Sequence, residues 1–479
     1  MAGALGAHLA APGTEGVGKA MPGRGGVTPP APQSIASALM KLDAWLDTMY
    51  HHGGDGGGRG YGGPVAHWWQ DCLHFAGAGL DWRYEGILLG YLALHQKTGD
   101  GQWLAKAHRA GDDLVQGQLS TGNYRNSSFE LNPYSGGTPH EAACDLALLQ
   151  LSRVLQKQGD PAWQEFLAAA ETNLRAYYVG QLWDAEAHSF RDHPEMPSFV
   201  PNKAATLAEA LLALADLTGE EAWIERYARP TLDTILLHQV RTGVLRGAIH
   251  QYSLHGQPVD CFFPYYTARC VPGLVAGYAH CGDECYLDAA QSALAFVLSC
   301  RFDDGSFPQV IYPRTSRTLS VESRRGRLNR YPVWIAATGD VLRATALLAP
   351  YGVQADPQPT MDWLLRGQQP TGAFSTAWGF ASQASQQAPG PLPEFRDVLP
   401  ACGWNDKAFR YLTDLIGEES LPEVHDLGTS EQPCLFRGLE AVYREDRLLI
   451  EVHRGRDILY RWRKGDVWAQ VAAPMSRLR

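Results

Sequence analysis

The sequence predicts a protein built almost wholly of α-helices. About twelve helices pair into six hairpins, and a small antiparallel β appendage closes the chain. Three observations predict this. A glycine-acid turn signal recurs about every sixty residues. Amphipathic stretches of helical period fill the intervals between the turns. After residue 436 the pattern changes to short runs with turn signals between them.

The first element expected is a helix over 34–51. The turn signal then appears as Gly99-Asp100-Gly101-Gln102-Trp103, Gly159-Asp160-Pro161-Ala162-Trp163, Gly219-Glu220-Glu221-Ala222-Trp223 and Gly282-Asp283-Glu284-Cys285-Tyr286. The glycines stand 60, 60 and 63 residues apart. Each follows an apolar helical stretch, which glycine can end because it accepts left-handed dihedrals. The acid then favours the positive end of the next helix. Gly417-Glu418-Glu419 reads as a degenerate late copy. A second signal, Gln-x-x-x-Gly, lies half a repeat away. It occurs as Gln118 to Gly122, Gln239 to Gly243 and Gln368 to Gly372. These are read as turns that close one helix and lead to the next.

The apolar helices after those turns are expected to begin near Asp81, Pro139, Pro201, Pro264, Pro332 and Gly403. Proline suits the first helical turn, where its missing N–H is not needed. Partner helices are expected over roughly 102–118, 161–179, 220–239, 284–300 and 358–368. The stretch Leu448–His453, then Arg-Gly-Arg-Asp, then Ile458–Trp462 reads as two strands and a turn, with a further short strand near 467–471. The expected organisation is a flexible tail over 1–33, a helical body over 34–420, and a β-rich appendage over 421–479.

Composition bounds the function. The chain has 479 residues, 45% of them hydrophobic, which is ample for a large core. Its net charge of −10 argues against nucleic acid as a partner. No apolar run is long enough to span a membrane. Residues 1–33 are rich in Gly, Ala and Pro and lack a secretory pattern. Nine scattered cysteines fit reduced thiols, so a cytoplasmic setting is expected. Cys281 and Cys285 beside His280 read as a helix-helix turn, and neither metal nor cofactor is expected.

Taken together, the repeated turns over about residues 34–420 resemble the α/α-toroid architecture shared by six-hairpin glycosidases, uronate-processing relatives, sugar 2-epimerases and terpenoid cyclases. The Gly-Asp-x-x-aromatic turn is most similar to that of the six-hairpin carbohydrate enzymes, and the Gln-x-x-x-Gly turn resembles the cyclase and prenyltransferase repeats. The resemblance implies an (α/α)6 toroid, with the β appendage packed on it. It implies that the inner helices run alike, so that their N-termini converge on one face. Six partial positive charges there favour an anionic or strongly polar ligand.

The loops before the inner helices are therefore the candidate site. In order they hold Asp81, Trp82, Arg83 and Glu85; Glu130, Tyr134, His140 and Glu141; Asn202 and Lys203; His250, Asp260, Tyr265, Tyr266 and Arg269; Arg330, Tyr331 and Trp334; and Trp404, Asp406 and Lys407. Aromatic rings stack on pyranose faces, and planar polar groups read hydroxyls. Asp81, Glu141, Asp260 and His140 are the catalytic candidates, because glycoside cleavage needs an acid and a second carboxylate, while imidazole titrates near neutral pH. Trp82, Arg83, Glu85, Tyr134, Asn202, Lys203, Tyr265, Tyr266, Arg330, Tyr331, Trp334, Trp404 and Asp406 are the candidate binding residues. An arginine-rich stretch over 314–330 precedes the fifth inner helix and suits a carboxylate or phosphate.

The expected activity is carboxylate acid/base chemistry on a polar or acidic sugar, with glycoside hydrolysis ahead. The substrate is a small molecule or an oligosaccharide, anionic ones included. The alternatives are a uronate lyase or sugar epimerase using His140 and Tyr265 or Tyr266, a terpenoid cyclase or prenyltransferase, and a non-catalytic sugar binder. The cyclase alternative lacks an Asp-x-Asp-Asp motif, and Asp112-Asp113 and Asp303-Asp304 lack the rest of a diphosphate motif.

Overall fold

The apolar stretches form helices where the turn signals allow. In chain order these are α1 (Ile35–Thr48), α2 (Arg83–Thr98), α3 (Gly101–Gly117), α4 (Ala142–Gln158), α5 (Trp163–Asn173), α6 (Pro201–Thr218), α7 (Arg229–Leu237), α8 (Pro264–Cys281), α9 (Glu284–Leu298), α10 (Thr338–Leu348), α11 (Gln358–Arg366), α12 (Phe395–Val398) and α13 (Cys402–Leu415). The structure, a computed structural model, describes residues 35–470 except 54–57, 67–71, 77, 126–139, 313–326, 384, 391–394, 399, 418–420, 423–433, 437–438, 445–448 and 464–468. One compact unit spans Ser34–Arg479.

Helices α2, α4, α6, α8, α10 and α13 each pack on the next, and α13 packs back on α2. The inner ring is therefore closed, and an open solenoid is excluded. Helices α1, α3, α5, α7, α9 and α11 lie against it as the outer partners. The two rings differ in their burial. Helix α6 is buried through most of its length, while α3 buries a single face with Trp103, Ala107, Ala110 and Leu114. A helix apolar all round must be surrounded, whereas an amphipathic one covers it from outside.

Both turn signals have a structural cause. Gly99, Gly159, Gly219 and Gly282 cap α2, α4, α6 and α8 with φ of 69°, 75°, 74° and 67°. The acids that follow accept backbone N–H groups of the next helix at Asp100, Asp160 and Asp283. At Glu220 the longer carboxylate pairs instead with Arg175, at 3.0 Å. In the second signal the glutamine amide bridges two carbonyls. Gln118 Nε2 donates to Gly122 and Ala169, Gln239 Nε2 to Gly247 and Ala289, and Gln368 Nε2 to Gly372 and Ala38. Each glutamine thus ties its own turn to the next outer helix, and Gln368 ties the last to the first. The second copy is corrected here: its acceptor glycine is Gly247, not Gly243, because that loop is four residues longer than the others.

Proline opens α6 and α8 as expected, while Pro139 lies outside the described residues. The fifth inner helix starts at Thr338, later than Pro332, because Val333–Trp334 pairs with Ala377–Trp378 and holds the chain extended. Tyr50–His52 pairs antiparallel with Arg59–Tyr61, and residues 54–57 of the glycine-rich stretch between them lie outside the described residues. Beyond α13, strands Cys434–Phe436, Leu439–Arg444, Leu449–Arg454 and Asp457–Arg463 form an antiparallel sheet in sequence order. A further pairing was not foreseen: Ala469–Gln470 joins Cys72–Ala76, which also pairs with Gly63–Ala66. Among the described residues no helix is long and apolar enough to cross a membrane.

Candidate functional site

All six inner helices contribute to one bowl. Its lining is Trp82 before α2, His140 and Ala143 at α4, Asn202, Lys203 and Thr206 from α6, Tyr266 and Arg269 from α8, Asp340 from α10, and Trp404 and Lys407 from α13. The cavity encloses about 530 Å³ of empty space, including the part open to solvent. Each of these residues sits at or just before the first turns of its helix, where the resemblance placed the mouth.

Rings make the walls. The His140 imidazole lies 4.7 Å from the Trp82 ring, and Trp82 lies 6.3 Å from Trp404. The Trp82 indole N–H donates to the Gly403 carbonyl, which fixes the ring against α13. Trp404 leans on Trp334, with centroids 4.5 Å apart. Trp334 is itself buried and acts as backing rather than lining. Tyr265 stands behind the wall in the same way, 4.6 Å from Tyr266.

Charges make the floor, and each lining cation has its own carboxylate. Lys203 pairs with Asp192 at 2.9 Å, Arg269 with Asp340 at 3.6 Å, and Lys407 with Asp406 at 2.6 Å. Below them the wholly buried Glu85 receives Arg269 and Arg410, with Arg343 3.9 Å away. Burial and the neighbouring Arg343 bring the Arg410 guanidinium down to about 9. Burial raises the carboxyl of Glu209, which lies 3.9 Å from Arg343. It also pushes Asp406 up to about 7, against the pull of Lys407, and lowers the Lys407 amine.

Of the residues expected from sequence, the bowl brings together Trp82, His140, Asn202, Lys203, Tyr266 and Trp404. Asp81 faces inward to Arg83, which grips both of its oxygens at 2.7 and 2.9 Å and donates to the Tyr61 carbonyl. Glu141 turns to the outer ring and accepts from Asn123 and Asn173. Asp260 is exposed, 3.9 Å from His250 Nδ1. Glu85 and Asp406 are buried below the lining. Arg330 pairs with Asp304 at 2.6 Å, and Tyr331 is held through its backbone by Gln386. Tyr134, Glu130 and residues 314–326 of the basic stretch lie outside the described residues. Arg269 and Lys407 stand in the candidate loops without a role marked by the sequence pattern, which singles out neither Asp340 nor Thr206. A spacing signal exists for them: Thr206 and Arg269 lie one turn beyond the marked positions of their helices, on the same face.

The geometry matches known folds. A D-mannose isomerase structure superposes with TM-score 0.57 at 12% identity over 80% of this chain and 97% of the other. A cellobiose 2-epimerase from Bacillus thermoamylovorans gives TM-score 0.57 at 13% identity over 80% and 99%. A possible member of glycoside hydrolase family 105 from Klebsiella pneumoniae gives 0.55 at 11% over 83% and 99%. The fold is the six-hairpin α/α toroid. No protein-family model matches the chain, and no curated protein matches it in sequence. The toroid therefore rests on architecture: six inner helices, four of them capped by glycine, a closed ring, and one mouth at their N-termini.

Proposed function

We propose that this toroid is a carbohydrate-active enzyme that isomerises or epimerises an uncharged sugar, moving a proton at the carbon beside the sugar's carbonyl. The supporting observation is the chemistry of the bowl. Among its described lining residues Asp340 is the sole carboxylate, whereas glycoside cleavage uses two that flank the bond. A carbon-acid proton transfer needs one well-placed base and groups that hold the hydroxyls. His140 suits the base, since it faces the cavity beside a tryptophan platform. Asn202, Thr206 and Asp340 suit the hydroxyls. The local pairing of Lys203, Arg269 and Lys407 with carboxylates favours an uncharged substrate over an anionic one. A D-mannose isomerase and a cellobiose 2-epimerase are among the similar structures, beside possible glycoside hydrolases and a polysaccharide lyase, which is consistent with this reading. The seven cysteines with described side chains are free thiols, which supports a reducing compartment.

The test is a panel of neutral aldoses, ketoses and disaccharides incubated with the protein in D2O and followed by NMR. Deuterium should enter at C2 of at least one sugar, with a new isomer or epimer appearing. His140→Asn should slow that exchange by about 10²–10⁴-fold. Release of a free sugar from a glycoside without exchange would restore the hydrolase reading. Binding without any conversion would leave a sugar-binding protein.

A further inference from the structure

Lys407 is a lining residue to which hydroxyl recognition gives no task. Lysine is almost never buried without a partner, yet this side chain is 6% exposed. Its ammonium meets Asp406 Oδ2 at 2.6 Å. Asp406 is wholly buried, and its Oδ1 has no hydrogen-bond partner. The backbone beneath the pair is clasped from two sides. A Cβ at Gly86 of α2 would collide with the Asp406 carbonyl, and one at Gly339 of α10 with the Lys407 carbonyl. Two glycines therefore let α2 and α10 close on α13 at this peptide, and the contact with Asp406 Oδ2 holds the amine. The environment also narrows the energy gap between the two protonation states. Burial lowers the lysine and lifts the aspartate to about 7, which brings the proton affinities of the two groups closer together.

We propose that Lys407 is a covalent catalyst whose amine condenses with the aldehyde of an open-chain aldose held in the bowl, with Asp406 carrying the proton. The proposal rests on the sugar reading above. The ammonium first passes its proton to Asp406. The amine lone pair then attacks C1, and the carbonyl electron pair moves to oxygen. A proton shifts from nitrogen to that oxygen and gives the carbinolamine. Asp406 returns its proton to the hydroxyl, water leaves, and the nitrogen lone pair closes the C=N bond. The net change is ammonium plus aldehyde giving iminium plus water, with Asp406 again a carboxylate. The iminium withdraws electrons from C2, so its proton becomes more acidic for the base across the bowl. Lys203 is the other lysine in the lining, but its carboxylate partner Asp192 is 23% exposed, which leaves that pair closer to water.

The experiment traps the iminium. The full chain is incubated with D-mannose, D-glucose or glyceraldehyde and cyanoborohydride, digested, and mapped by mass spectrometry. One adduct, of aldose mass less one oxygen atom, should fall on the peptide carrying Lys407. Lys407→Arg should lose that adduct and slow deuterium exchange at C2 by about 10²-fold or more, with the circular dichroism spectrum retained. His140→Asn should keep the adduct while losing exchange. Adducts confined to Lys203 or to surface lysines would overturn the proposal, as would wild-type exchange in Lys407→Arg. Should Lys407→Arg fail to fold, the wild-type peptide map decides by itself. Exchange in the wild type with no adduct at Lys407 overturns the iminium alone. Absence of both exchange and adduct overturns the sugar reading with it.

Discussion

Glu85 gathers three guanidinium groups in the middle of the ring. It is wholly buried, and Arg269, Arg410 and Arg343 come to it from α8, α13 and α10. A buried carboxylate that satisfies several cations is costly to remove, because the cations are left uncompensated. Glu85→Gln should lower stability by about 3–5 kcal/mol in urea unfolding, and a loss below about 1 kcal/mol would show that the arginines re-pair without it. Asp113 is a second informative acid. It accepts from Tyr50 and Tyr84 and lies 3.4 Å from Arg59. Burial is the largest influence and holds its carboxyl up at about 6. The folded state therefore favours the proton more than the unfolded chain does. The stability this contributes is complete below the ordinary carboxylate value of 3.8 and is lost as pH rises through about 6. Asp113→Asn should flatten the fall in stability between pH 4 and 6, by about 2 kcal/mol over that window. An unchanged slope would place that titration elsewhere.

Three of the turns that close outer helices depend on a glycine and a glutamine. At Gly122, Gly247 and Gly372, with φ of 88°, 92° and 94°, an added Cβ would meet the carbonyl oxygen of Thr172, Ser292 and Lys41. The turn backbone thus lies against the neighbouring outer helix, and the adjoining glutamine amide completes the seam. Gln368→Ala should leave the carbonyls of Gly372 and Ala38 without that donor, and should cost about 1–3 kcal/mol in thermal or urea melts. On the inner ring, Gly273 of α8 would place a Cβ 2.6 Å from the Ala205 carbonyl of α6. Gly273→Ala should force the two helices apart at a cost of about 1–3 kcal/mol. Retention of wild-type stability in either variant would mean that the seams adjust more freely than close packing suggests.

Ring closure separates this molecule from an open stack of hairpins. In a solenoid the end units have one neighbour each and fray first. Here α13 packs on both α10 and α2, and α1 packs on α13. The amides of α1 and α13 should therefore exchange hydrogen as slowly as those of α4 and α8 in native-state mass spectrometry, and unfolding should be a single transition. Early exchange confined to α1, α11 and α13 would contradict a closed ring. Closure also creates the site, because only a ring brings the first turns of six helices separated by more than three hundred residues to one bowl.

The sequence by itself determined the hairpins, the handedness of their caps and the face on which the bowl opens. Those features are local: a glycine at φ near +70°, an acid two residues before the N–H it caps, a proline in a first turn. It also marked Trp82, His140, Asn202, Lys203, Tyr266 and Trp404, which stand at helix starts and face inward. It did not separate these from Asp81, Glu85 and Glu141, which occupy the same kind of position. The direction of a side chain at a helix start depends on what the neighbouring helices offer. Arg83 captures Asp81, Arg269 and Arg410 capture Glu85, and Asn123 and Asn173 capture Glu141. Only the tertiary structure decided those partners, because all but Arg83 come from distant parts of the chain. It likewise decided that Asp340 faces the bowl and that Asp406 lies beneath Lys407, since a carboxylate's exposure is set by the packing around it and not by its place in the repeat.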